Sequence, residues 1–353
     1  MPSGAARRRT GPRRPLPVVL PRFRAGSQPG QVLGPPLALA VSLVAAGIAF
    51  DGFLSGPNLS SVLERSAFVG IIVVGMTYLI IAGGIDLSVG SVAALAGVVV
   101  AKLVEAGINP LAALLATMAV GALIGLAQGV AIARGNLEPF IVTLAGLLSV
   151  RGLALLLSDE QNVALPNEGL ARTIGTGTVV SVGEYQLTSP AAIMLVTFLL
   201  GSVVLRRTVF GRSLYAIGGD EKSARLLGVR VVSVKIRAYA VCAALAALAG
   251  VLLAYRQTLG RPFAAETYEL FAIGAVVVGG TLLTGGRGSM LGSLFGTLLL
   301  FVIQVCINRM GLSAFWQQLV SGIFLLTAVA FQRILQSAPE RRAARHRMPR
   351  RAN

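Results

Sequence analysis

Apolar residues in this chain run together in long blocks rather than alternating as in a strand or marking one face of a helix. Ten such blocks can be set off, at 32–50, 67–82, 89–105, 110–133, 138–157, 190–205, 237–255, 269–284, 289–308 and 315–335. Between them stand short clusters of glycine, proline and charge. A bilayer core takes about 20 helical residues to cross. The pattern therefore predicts an all-α fold, a polytopic helical membrane protein with about ten transmembrane helices. Helix punctuation agrees at several block edges. Pro110 follows Asn109, Pro139 follows Glu138 and Pro190 follows Ser189, each a polar residue just ahead of a proline suited to the first helical turn.

Composition narrows the class. The 353 residues are 55% hydrophobic and only 13% charged, where a soluble domain carries about 25% charge. Mean hydropathy is +0.77. So much apolar surface cannot be hidden inside one water-soluble globule. A soluble enzyme, a disordered chain and a secreted disulfide scaffold are excluded. Cys242 and Cys306 fall within apolar blocks and read as small buried hydrophobes. The only histidine, His346, lies in the C-terminal tail. No zinc site and no Ser–His or Cys–His catalytic set can be assembled in the membrane from these residues.

Charge sets the expected orientation. Lys+Arg number 31 against 14 Asp+Glu. Seven basic residues lie in the first 30 positions, eight in 206–237 and seven in 333–353. The aromatic platform that nucleic acid binding would add is missing. Alternating the blocks from a cytoplasmic N-terminus puts 24 basic residues inside and 7 outside, as the positive-inside rule requires. The expected organisation is a basic disordered cytoplasmic tail at 1–30, a membrane domain at 31–336 and a basic cytoplasmic tail at 337–353. Loop 206–237 is then internal, and 158–189 is the longest external loop. Arg151 interrupts the apolar stretch LAGLLSVRGLALLL. It is expected either to snorkel outward or to enter a buried ion pair.

Three segments carry candidate chemistry. In 75–97, Gly83, Gly84, Asp86, Ser88, Gly90 and Ser91 interrupt an apolar run between two spans. Irregular backbone at membrane depth survives where protein or a water-filled cavity satisfies it. These residues form either a broken-helix element beside a translocation path or a tight turn with Asp86 capping the next helix. Gly121, Gly125 and Gly129, and again Gly288, Gly292 and Gly296, recur every four residues and predict smooth helix-packing ridges. In 208–237, Gly218 and Gly219 break the chain, Asp220 can cap a short helix, Glu221 favours its positive end, and Gly228 suits a left-handed stop. Ala224 and Leu227 lie three apart and can face one groove. This bounded helix, with Arg225 among its cations, is either a docking element for a cytoplasmic subunit or a solvated surface helix.

The only lysines, Lys102, Lys222 and Lys235, follow Ala101, Glu221 and Val234, so the chain has no Gly-Lys-Ser/Thr phosphate loop. If ATP drives this protein, another chain binds it. A weak internal echo also exists. Gln128, Leu137, Phe140 and Gly146 match Gln304, Leu312, Phe315 and Gly322, and GGIDLSVGS at 83–91 resembles GGTLLTGGRGS at 279–289. Two related halves and a chance match both fit it.

Taken together, GMTYLIIAGGIDLSVGS, EPFIVTLAG with RGLALLL, FGRSLYAIGGDEKSARLLGV, YELFAIGAVVVGGTLLTGGRGS and GLSAFWQQLVSGIFLLTAV resemble the permease subunit of bacterial ABC sugar importers of the ribose/xylose/galactose type. The order and spacing hold over about 65–335. Phe271, Leu227 and Asp220 depart from the residues usual there, which are acidic, small and Asn. The resemblance implies a non-catalytic transport subunit without cofactor, multi-pass in the bacterial inner membrane with both termini cytoplasmic. It implies cytoplasmic ATPase subunits, a second permease copy or related permease, and an external binding protein that delivers a monosaccharide. It implies ATPase coupling through Gly218, Gly219, Asp220, Glu221, Ala224, Arg225, Leu227 and Gly228. The competing classes are a stand-alone secondary transporter or channel, a membrane enzyme, and an ABC permease for nucleosides or branched-chain amino acids. The first would show intramembrane carboxylates for ion coupling, for which Asp86 is the only candidate. The second would show clustered titratable groups, and none occur.

Overall fold

The computed structural model describes residues 29–166 and 169–312, with a few further positions between 315 and 326. The chain begins with five helices, α1 (Pro29–Ala49), α2 (Gly56–Ile81), α3 (Val89–Glu105), α4 (Pro110–Ala133) and α5 (Pro139–Ser158). A connecting region follows: β1 (Val163–Ala164), α6 (Gly169–Thr176) and the hairpin β2 (Thr178–Val182) and β3 (Tyr185–Thr188). The chain then forms α7 (Ser189–Arg207), α8 (Val209–Gly219), α9 (Glu221–Leu226) and α10 (Val231–Gln257). It ends with β4 (Leu259–Gly260), α11 (Tyr268–Val278) and α12 (Met290–Arg309). β4 pairs antiparallel with β1, Val163 opposite Gly260 and Ala164 opposite Leu259.

The all-α fold and the proline-marked starts are borne out. α4, α5 and α7 each carry proline in the first turn, and the Asn109 side chain accepts from the Leu111 N–H at 2.9 Å. Among the described residues, fewer helices reach membrane-crossing length than there are apolar blocks. Among the described residues six helices, α2, α4, α5, α7, α10 and α12, are long and apolar enough to cross a membrane. The apolar part of α1, Leu33–Ala49, is shorter, and α3 has 17 residues. The block at 269–284 is not one helix: α11 stops after 11 residues, and Gly280, at φ +86°, turns the backbone away. Hydropathy registers an apolar run but not a backbone reversal that only glycine takes without strain. The last block, 315–335, falls largely outside the described residues.

Burial separates inner helices from outer ones. The most apolar stretch of α2 is 89% buried and that of α10 72%, against 28% for α4 and 17% for α5. Leucines left exposed on α4 and α5, such as Leu123, Leu148 and Leu156, suit contact with acyl chains. The ridge foreseen on α4 is a real contact, and so is that of Gly292 and Gly296 on α12, but Gly288 precedes α12 and lies against Thr281 instead. A Cβ at Gly121 or Gly125 would strike Ala243, Ala247 or the Tyr239 carbonyl of α10, and one at Gly292 or Gly296 would strike the backbone of α11 at Gly279 or Ala275. Backbones packed this closely gain dispersion energy that a side chain between them would remove. Cys242 is fully buried on α10 with α2 against it at Gly75.

The two ends of α2 define two opposite surfaces. At its start, Ser60 Oγ accepts from the Gln186 N–H of the hairpin at 2.8 Å. At its end, Ile81 meets α8 through Gly218. With about 1.5 Å rise per residue these ends lie roughly 39 Å apart. The hairpin and the α8–α9 loop therefore lie at opposite ends of α2.

Candidate translocation and coupling site

The link between α2 and α3 is tied down by hydrogen bonds to its own backbone and to α4 and α10. Gly83 turns the chain at φ +76°. Asp86 Oδ1 accepts from the Ser88 N–H at 2.8 Å and from the Ser88 hydroxyl at 2.7 Å. Gln128 Nε2 of α4 donates to that same hydroxyl at 2.9 Å, so Ser88 relays between a carboxylate and an amide. The Tyr239 hydroxyl of α10 donates to the Ile85 carbonyl at 3.1 Å, with Gly84 leaving room for it. Asp86 and Ser88 are wholly buried, and Asp86 Oδ2 has no hydrogen-bond partner among the described residues. Asp86 is not the cap of α3. Ser88 holds that position without a side-chain cap bond, and Asp86 bonds the backbone two residues on, as an Asx turn.

Gly90 and Ser91 place the start of α3. A Cβ at Gly90 would meet the Glu269 carboxylate of α11 and the Ala265 carbonyl. The Ser91 hydroxyl donates to the Leu147 carbonyl of α5 at 2.8 Å. All six residues singled out in the sequence, Gly83, Gly84, Asp86, Ser88, Gly90 and Ser91, thus belong to one junction of α2, α3, α4, α5, α10 and α11. Gln128 and Gly146 belong to it as well, since Gly146 lies against Gln128 and Ser88. The sequence marked both only as matched positions in the internal echo.

Arg151 takes neither expected role. Its Nη1 donates to the Pro262 carbonyl at 2.5 Å and the Ala264 carbonyl at 2.9 Å. Glu266 and Glu269 act on it through space. A charge on a mid-membrane helix thereby anchors the β4–α11 loop, where Ala265 and Thr267 hold positive φ values of 56° and 68°. Non-glycine residues keep such angles only where their surroundings impose them.

The α8–α9 loop matches the expected bounded helix closely. Asp220 Oδ1 accepts from the Ser223 N–H at 2.9 Å. Gly228 has φ +83°, and the Val229 N–H closes the turn onto the Ala224 carbonyl at 3.0 Å. Glu221 bonds Arg225 at 2.7 Å and Lys235 of α10 at 2.5 Å. Burial pushes the Glu221 carboxyl up, but the two cations outweigh it and hold the group below the ordinary carboxylate range. The shared apolar face is not seen. Ala224 is buried against the permease, while Leu226 is 89% and Leu227 52% exposed. A helix of under two turns cannot bury one side and offer the same side to a partner.

Three glycine segments distant in sequence converge beside this helix. The Gly286 N–H donates to the Ile81 carbonyl at 2.9 Å. A Cβ at Gly218 would fall on that carbonyl and on the Gly286 nitrogen, whereas Gly219 has nothing within 4 Å of its own Cβ position. The end of α8 therefore rests directly on the backbone at the last residue of α2 and in the interrupted segment 279–289.

The family described as branched-chain amino acid transport system / permease component matches residues 58–329, from the first turn of α2 through α12 and beyond. The chain is 39% identical over 303 residues to the ribose import permease protein RbsC of Bacillus subtilis, covering 86% of this chain and 93% of that one. It is 34% identical over 300 residues to the fructose import permease protein FrcC of Rhizobium meliloti, covering 84% and 83%. It is 34% identical over 279 residues to the L-arabinose ABC transporter permease protein AraH of Azospirillum brasilense, covering 79% and 80%. No solved structure matches the chain. Over three quarters of its length, motifs and helices alike, this chain belongs to that family of membrane-embedded permease components.

Proposed function

We propose that the chain is the membrane-spanning permease of an ATP-binding-cassette importer and that it passes a monosaccharide delivered by an external binding protein. The observation that carries this reading is similarity over most of the chain to three permeases named for ribose, fructose and arabinose. The family description covers branched-chain amino acid carriers too, but these relatives are named for sugars. ATP is hydrolysed by a separate subunit, since the chain has no phosphate loop. That subunit docks on α8 and α9, where Gly218, Gly219, Asp220, Glu221, Ala224, Arg225, Leu227 and Gly228 fix the docking element. Ala224 anchors it inward, and Leu226 with Leu227 presents the apolar contact. Motion enters there and passes through Gly218 to Ile81 and Gly286. The junction of Gly83, Gly84, Asp86, Ser88, Gly90 and Ser91 borders the path. A second permease copy, or a related one, supplies the facing half.

The test is uptake by proteoliposomes holding the permease with a candidate ATPase and a candidate sugar-binding protein from the same organism. Sugar should enter only with ATP inside and binding protein outside. The permease alone should hydrolyse ATP at background. Leu226→Glu should abolish ATPase co-purification and cut uptake at least tenfold while the permease still inserts. Uptake driven by an ion gradient without ATPase would establish the stand-alone transporter instead.

The eight basic residues of 206–237 and the basic tails support one orientation: both termini and α8–α9 face the cytoplasm, and the hairpin faces outward. In a background lacking Cys242 and Cys306, Ser181→Cys should react with an impermeant thiol reagent on intact cells, and Ser223→Cys should react only after lysis. The reverse pattern would invert the topology.

A further inference from the structure

Four arginines meet around one concave site at the surface that carries α9. Arg134 ends α4, Arg225 lies on α9, and Arg230 and Arg237 lie at the start of α10. They line a cavity of about 560 Å³. Arg225 pairs with Glu221, whose other oxygen is taken by Lys235. Among the described residues, Arg134, Arg230 and Arg237 engage no carboxylate. Like charges gathered in one concavity repel, and a bound anion would remove that repulsion. Between them the wall is apolar, formed by Val229, Val232 and Ile236.

We propose that this cavity binds the phosphate headgroup of an anionic phospholipid, with the glycerol and upper acyl chain lying on the apolar wall. The site lies where spans leave the bilayer: Arg134 caps α4 at its C-terminal end, and Arg230 and Arg237 flank the first turns of α10. That is the depth of a phosphodiester. The C-terminal half of α4, leading to Arg134, leaves Leu123 and Leu126 exposed, so acyl chains reach this end of the helix. Every cation lining the cavity is arginine, whose planar fork bonds phosphate oxygens two at a time. Topology alone would be served by basic residues scattered along the surface. Convergence on an apolar-walled concavity fits a basic pocket between helices that holds a lipid headgroup.

The test uses the full-length permease purified in mild detergent, with dioleoyl phosphatidylglycerol and dioleoyl phosphatidylcholine as probes. Retained lipid is read by native mass spectrometry. Phosphatidylglycerol should be retained and phosphatidylcholine should not. Arg134→Gln, Arg230→Gln and Arg237→Gln should each weaken retention about fivefold, and Arg172→Gln, outside the cavity, should leave it unchanged. Arg225 is left intact because it belongs to the docking helix. Millimolar inorganic phosphate should not displace the lipid. Full displacement by phosphate would identify a soluble phosphate site and overturn the proposal. So would equal retention in all four variants, and so would unchanged retention with lost ATPase co-purification, which marks a protein-docking surface. The single variants are used separately, so a folding failure in one leaves the others and the two-lipid comparison to decide.

Discussion

Gly218→Ala is expected to destabilise the permease by about 3 kcal/mol, the upper part of the range for overpacking, and to abolish transport. Gly219→Ala, one residue on, is expected to leave stability unchanged. The added methyl at 218 falls on the Ile81 carbonyl and the Gly286 amide. Both are backbone atoms, already joined at 2.9 Å, so no rotamer change can relieve the overlap. Either α8 lifts from the junction or the bond between Ile81 and Gly286 breaks. At 219 the methyl points into open space. Thermal unfolding of the purified variants in detergent reads the structural part, and proteoliposome uptake reads the functional part. Equal stability of the two variants would mean that α8 does not rest on this junction.

Asp86 gives the second large effect. Asp86→Ala should cost about 3 kcal/mol, because it strips the buried Ser88 N–H and hydroxyl of their acceptor where water cannot substitute. Asp86→Asn keeps the Oδ1 acceptor for both Ser88 donors, so it should lose clearly less stability than Asp86→Ala. Thermal unfolding of the two variants decides, and equal losses would refute the hydrogen-bonding role. Uptake by Asp86→Asn then separates two roles. Retained uptake means that Asp86 shapes the junction, and lost uptake in a stable variant means that its charge is used in the path.

What could be read from the sequence was what is written locally. Asn109 before Pro110 and Asp220 with Gly228 carry their own geometry in a few residues, and each element formed where they placed it. The fourfold spacing of glycines on α4 announced a close approach, because any larger residue would prevent one. The identity of the approached helix was not legible. Periodicity assigns a face but not a neighbour, so nothing in 121–129 points to Tyr239 and Ala243. Arg151 failed for the same reason. Its partners are carbonyls of Pro262 and Ala264, groups that every residue carries and no composition reveals. The block at 269–284 misled because apolar side chains continue across Gly279 and Gly280 while the helix does not. The glycine convergence joins positions 81, 218 and 286, and only the folded chain brings them together.

The enclosure of α2 bears on how the protein is made. Of the six long apolar helices it is the least apolar, with mean hydropathy 1.6, yet the most thoroughly enclosed. Its Thr77 hydroxyl lies 2.9 Å from the Ser293 hydroxyl, 216 residues later. A ribosome delivers α2 long before it delivers α12. In the interval, Thr77 and the glycines of α2 face lipid or the insertion machinery rather than their final neighbours. Contacts this distant in sequence form late and slowly, and an unfinished chain with an unsheathed inner helix is open to misassembly. Completion of α12 is therefore the event that commits α2 to its place, and a chain truncated before Met290 lacks the partner that closes its core.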